Sequence, residues 1–117
     1  MKKFADNLAE LEGAEHLQAL ELYSDDGSIA GIVENKAGSE GSFKLYHALW
    51  KKWGAITVEA ANEGLELYAE HTQDAKDHPG KHPNIDRLLE VVALNKPLTL
   101  ETIPLGMHRF KQLSCRK

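Results

Sequence analysis

Three of the chain's six histidines and four of its eighteen acids fall between Glu70 and Asp86, in the run EHTQDAKDHPGKHPNID. Imidazole nitrogens and carboxylate oxygens together suit borderline and hard divalent cations, and imidazole also carries protons near neutral pH. If a helix runs through His78, then His71, Asp74 and His78 occupy positions i, i+3 and i+7 and share one face. His82 would approach from beyond the Pro79–Gly80 break, and Glu70 or Asp86 could complete a shell from neighbouring turns. His71, Asp74, His78 and His82 are therefore candidate ligands for zinc, iron or manganese. The segment lacks the His-x-x-x-His pair of the metalloprotease helix, because two breaker residues separate His78 from His82.

A plainer chemistry competes with metal binding. A histidine near a helix C-terminus interacts well with the exposed carbonyls, and an acid such as Asp86 is favourable in a first helical turn. Pro83 is a good helix-start residue. On this reading the segment caps two helices; a separate reading makes His47, Lys81, Asn84 and Asp86 the polar residues of a partner-binding surface. A third candidate is the loop Gly38-x-x-Gly41-Ser42, which leads from a strand into a helix. Free backbone N–H groups at a helix start hold anions, and Lys36 and Lys44 flank the loop. The Walker and Rossmann glycine patterns are both absent, so a loop with a cap competes with anion binding there. Ser39 and Ser42 lack the elbow of a serine nucleophile. Cys115, two residues from the end, lacks the fixed geometry that a nucleophile needs.

These residues need elements to hold them. Phe4, Leu8 and Leu11 have helical spacing and predict a short amphipathic helix that must dock on something larger. Leu17–Tyr23 and Ile29–Glu34 flank Asp26-Gly27, a tight-turn pair, and predict a β-hairpin. Gly31 in the return strand marks a bulge or a close backbone approach. Ser42 is the expected cap of a helix whose apolar side carries Phe43, Tyr46, Leu49, Trp50 and Trp53, and Gly54 ends it. His47 lies beside that stripe, at the surface or its rim. Thr57 caps, without a capping box, a helix expected to run to about Lys76, with Val58, Ala61, Leu65, Tyr68 and Thr72 on one face. Gly64 within it costs about 1 kcal/mol relative to alanine unless packing uses the missing side chain. Pro79-Gly80 breaks the chain, Pro83 opens the next helix, and Asn95 closes it. Leu98–Ile103 predicts a third strand, which the hairpin needs because two strands alone are marginal. Met107 and Phe110 are expected to fold back on the core.

The outcome is one α+β domain over residues 1–117: a small antiparallel sheet, the hairpin plus a third strand, packed against three to four helices. A chain of 117 residues can bury a core without disulfides. The formal net charge of −4 and the lack of a long Lys/Arg run argue against nucleic acid as partner. No window is apolar enough for a membrane span, and nothing at Met1-Lys2-Lys3 reads as a signal peptide. The single cysteine favours a reducing, cytoplasmic location.

Asn35-Lys36 with Gly38, Tyr46-His47-Ala48-Leu49, Gly64-Leu65, Ala69-Glu70-His71-Thr72 and above all Gly80-Lys81-His82-Pro83-Asn84-Ile85-Asp86-Arg87-Leu88-Leu89 carry a resemblance. The chain resembles, over nearly its whole length, a small uncharacterised bacterial protein family with no assigned activity. The resemblance implies a bacterial, cytoplasmic protein and carries over no catalytic role. Two functional classes remain. The first is a non-enzymatic binding or accessory domain with a protein or small-molecule partner. The second is a metal-dependent enzyme or metal-binding protein centred on His71–His82. The chain would act as a monomer or as a homodimer joined through its aromatic or hairpin surface.

Overall fold

The computed structural model describes residues 3–13 and 16–105. Met107, Phe110 and Cys115 lie outside these residues, as do the expectations attached to them. Strands Leu17–Tyr23 (β1) and Ile29–Glu34 (β2) form the antiparallel hairpin that the turn chemistry predicts. The Ser24 N–H donates to the Ser28 carbonyl at 2.9 Å, and the Asp26 carboxylate accepts from the Ser28 N–H and hydroxyl at 2.9 and 2.6 Å. Gly27 completes the turn at φ 89°, a conformation with a steric penalty for any residue bearing a β-carbon.

The third strand, Thr99–Pro104 (β3), also pairs with β1, so the sheet order is β2-β1-β3 and every pair is antiparallel. It begins one residue later than the sequence suggests, because Leu98 instead makes an isolated bridge to Ile56. The central strand β1 is buried along most of its length. Glu21 is buried, and the Tyr23 hydroxyl donates to its carboxylate at 2.7 Å. Both readings of Gly31 hold. The register shifts beside it, and a β-carbon there would collide with the Arg87 guanidinium.

Among the described residues five helices accompany the sheet, four of them eight residues or longer: Phe4–Ala9 (α1), Glu40–Trp53 (α2), Val58–Tyr68 (α3), Glu70–Asp77 (α4) and Pro83–Leu94 (α5). Phe43, Leu45, Tyr46 and Leu49 of α2 meet Ala60, Ala61 and Tyr68 of α3, Ile85 and Leu88 of α5, and Leu20, Leu22, Val33 and Leu100 of the sheet in one core. Trp53, expected on the apolar side of α2, is 38% exposed and donates its indole N–H to Glu63 at 2.9 Å. Gly64 is used by packing: a β-carbon there would lie 2.8 Å from Leu88 and 2.9 Å from Leu49, so the glycine lets α2, α3 and α5 approach closely. Thr57 caps α3 alone, accepting the Ala60 N–H at 3.0 Å. Gly54 and Asn95 end α2 and α5 in left-handed conformations. No helix among the described residues is long and apolar enough to cross a membrane.

Two helix expectations are corrected. The long helix from Thr57 to Lys76 is two helices, broken at Ala69, which has φ 54° and ψ −117°. The break keeps Tyr68 in the core while α4 turns to pack on α5. Ser42 is not a cap. Helix α2 starts at Glu40 behind Ser39, whose hydroxyl donates to the Glu34 carbonyl at 2.6 Å, so Gly41 and Ser42 lie in the first turn.

Candidate functional site

The first turn of α2, the start of α4 and the α4–α5 break enclose a cleft of about 310 Å3. Gly38, Gly41 and Ser42 form one wall. His71 faces them from α4, and Lys81, His82, Pro83, Asn84 and Ile85 come from the break and the start of α5. Phe4 of α1 and Tyr68 of α3 add aromatic surface, stacked with ring centroids 5.1 Å apart. Two segments that look unrelated in sequence, the glycine–serine loop and the histidine-rich break, therefore share one site.

Asp74 organises the break. Its Oδ2 accepts from His82 Nε2 at 2.7 Å and from Lys81 Nζ at 3.0 Å, while Oδ1 lies 3.2 Å from His78 Nδ1. The hydrogen bond from His82, followed by that from Lys81, holds the Asp74 carboxyl far below the usual carboxylate range. Asp74 is thus ionised near neutral pH, and His82 carries its proton on Nε2. The break is tied at its other end by Asp86, whose carboxylate accepts the Gly80 N–H at 2.9 Å. Gly80 turns there at φ 93°. His78 supplies the last N–H of α4, bonded to the Asp74 carbonyl at 3.0 Å.

His71 stands apart from this knot. Its ring lies edge-on to Phe4 with centroids 5.1 Å apart, and 5.6 Å from the His82 ring. Its nearest carboxylate contact is Glu70, 3.8 Å from Nε2. Glu70 in turn accepts the Phe4 N–H at 2.9 Å, which lowers the Glu70 carboxyl and anchors α1 beside the cleft. Phe4 and Leu8 both pack on Gly41, so α1 separates this cleft from a second cavity of about 300 Å3 lined by Leu8, Glu40, Phe43 and Lys44. Among the described residues, no group of three or more His, Cys, Asp and Glu has the geometry to hold a metal ion.

Asn84 takes part in a second network. The Arg87 guanidinium lies 5.6 Å over the Tyr46 ring and donates through Nη1 to Asn84 Oδ1 at 2.8 Å and to the Tyr46 hydroxyl at 3.2 Å. Tyr46 donates to the Asn84 carbonyl, and burial pushes its phenol up to about 12. Sequence reasoning placed Asn84 in the site but missed Arg87, Tyr68 and Phe4. The aromatic residues read as core packing, and nothing local ties them to the histidine-rich break.

His47 is the clearest correction. It was expected at the surface, as part of a binding patch with Lys81, Asn84 and Asp86, yet it is only 5% exposed and does not line the cleft. It sits between Phe43, Trp50 and His16, and its Nδ1 has no hydrogen-bond partner. Burial lowers its affinity for a proton, and Lys51 and His16 add to the effect.

Fold and site together define a small α+β domain whose helical layer carries a preformed cleft. The chain belongs to a family of uncharacterized proteins conserved in bacteria, DUF2322, whose model matches residues 4–102. Neither a curated protein nor a solved structure shows a significant match to it.

Proposed function

We propose that this protein is a non-enzymatic binding domain whose ligand is a small molecule seated in the cleft between α2 and the α4–α5 break, and that it works in the cytoplasm. One observation carries this reading: groups about forty residues apart in sequence converge on a cavity at the lower end of the usual ligand-site range of roughly 300–1,000 Å3. The lining groups are fixed in place by hydrogen bonds and ion pairs, some of them from two residues outside the lining, Asp74 and Arg87. Asp74 holds Lys81 and His82, Arg87 holds Asn84, and Tyr68 holds Ser42 through a 2.7 Å hydrogen bond. That last bond weighs against Ser42 as a nucleophile. Burial raises the Tyr68 phenol well above its ordinary value, and a phenol that keeps its proton cannot remove the serine's.

The metal reading keeps one supporting contact, the carboxylate of Asp74 between His78 and His82. Lys81 stands on the same oxygen as His82, and its ammonium opposes a second cation there by like-charge repulsion. The test is a fragment screen followed by amide chemical shifts in 15N-labelled protein, with a zinc titration alongside. Ligands that move the amides of Gly41, Ser42, His71 and Asn84 support a binding cleft. A zinc-dependent rise in melting temperature, lost in Asp74→Asn, would transfer the assignment to a metal centre.

A further inference from the structure

Resting on the binding-domain reading, we infer that the cleft selects a small organic oxyanion, with a phosphate or carboxylate head on a compact apolar body. The inference comes from which hydrogen-bonding capacity the protein has already used. The Ser42 oxygen accepts the Tyr68 hydroxyl, leaving the serine's own proton to donate. Asn84 Oδ1 accepts from Arg87, which leaves the amide NH2 as the free end. The Asn84 carbonyl is taken by Tyr46, and the His82 carbonyl accepts the N–H groups of Ile85 and Asp86. Lys81 uses one ammonium proton on Asp74 and keeps others, and every tautomer of His71 carries at least one N–H.

The Asn84 oxygens, the His82 carbonyl and one lone pair of the Ser42 oxygen are thus engaged within the protein, while Ser42, Asn84, Lys81 and His71 keep donor capacity among the cleft's lining residues. A ligand rich in acceptors and bearing negative charge complements such a wall, because a charge-assisted hydrogen bond is about twice as strong as a neutral one. Asp74 carries the countercharge but does not line the cleft, so it positions Lys81 without occupying the ligand's place. A helix start adds to the effect only at α2, which has no side-chain cap; at α5, Pro83 has no N–H and the Ile85 N–H bonds to the His82 carbonyl. Phe4, Tyr68 and Ile85 supply the apolar wall against which the body of the ligand would lie.

The probes are inorganic phosphate, phenyl phosphate, benzoate and neutral benzyl alcohol, each titrated into 15N-labelled full-length protein. Phenyl phosphate and benzoate are expected to shift Gly41, Ser42, His71 and Asn84, with inorganic phosphate weaker and benzyl alcohol weakest. Asn84→Asp keeps an oxygen for Arg87 but replaces the free donor by a charged acceptor, and it should weaken phenyl phosphate by about tenfold or more. Lys81→Gln, at an exposed position, should weaken it by about tenfold while leaving the spectrum of the folded protein otherwise intact. Benzyl alcohol binding as tightly as the anions, or anion binding unchanged in both variants, overturns the inference. Neutral probes in the cleft with no anion bound would refute the ligand class yet keep the binding domain. If no probe of either kind reaches the cleft, both readings fall.

Discussion

At the scale of single residues, Ala69 and His47 are held in states that chain chemistry disfavours. An L-residue at φ 54° and ψ −117° is strained by roughly 1–3 kcal/mol, whereas glycine tolerates the conformation. Ala69 joins Tyr68 to Glu70 and His71, so the strain sits at the edge of the cleft. Ala69→Gly should therefore stabilise the protein by about 1 kcal/mol in urea unfolding, after allowance for the greater freedom of glycine in the unfolded chain. A loss of stability would show that the turn is not under strain. His47 offers a second measurement. Its folded-state proton affinity is depressed by burial first, then by Lys51 on α2 and by His16 ahead of β1, with Glu12 acting in the opposite direction. As pH falls below about 6.5, the unfolded chain takes up that proton before the folded one does. The stability that neutral His47 contributes is thus complete above that pH and declines as pH drops toward its lower folded value. His47→Leu should give a shallower fall in melting temperature over this window than the parent shows. Parallel curves for the two proteins would mean that His47 titrates freely when folded.

At the scale of elements, α2, α3 and α5 pack closely where they meet over Gly64. Two effects oppose each other in Gly64→Ala. Helix propensity favours alanine by about 1 kcal/mol. A β-carbon within 2.9 Å of both Leu88 and Leu49 forces overpacking, which costs typically 1–3 kcal/mol. We expect net destabilisation of about 1 kcal/mol in urea, and a more stable variant would show that the leucines shift freely. The same elements show what a sequence can reveal. The hairpin, the Thr57 cap and the starts and stops at Pro83, Gly54 and Asn95 were legible because each depends on residues within one or two turns of the chain. The break at Ala69 was not, because no proline or glycine marks it. The site was half legible. His71, Lys81, His82 and Asn84 stood out by composition, but their meeting with Gly41 and Ser42 depends on how α2 packs beside α4 and α5. Ser42 was singled out for a capping role that it does not have. Its actual role, accepting the Tyr68 hydroxyl across 26 positions of sequence, leaves no local trace.

At the scale of the whole molecule, the sheet is completed by the last described strand. The central strand β1 comes early in the chain, and its second partner, β3, follows only after α1–α5. A two-stranded hairpin is marginal in water, so the helices gain a stable floor only when β3 returns to β1. Leu100 is the residue that joins both roles: it pairs with Leu22 in the ladder and lies in the core shared with the helices. Leu100→Ala removes buried apolar volume where strand pairing and helix packing coincide, and should destabilise by about 2–5 kcal/mol in urea unfolding. Leu105, just beyond the strand and 63% exposed, is the matched control, and Leu105→Ala should stay within about 0.5 kcal/mol of the parent. Hydrogen exchange adds a test of coupling. If β3 closes the fold, Leu100→Ala should speed the slowest amides of α5 along with those of β1, since both then open through the same global event. Faster exchange confined to the sheet would instead mean that the helical layer, with its cleft, is stable without the third strand.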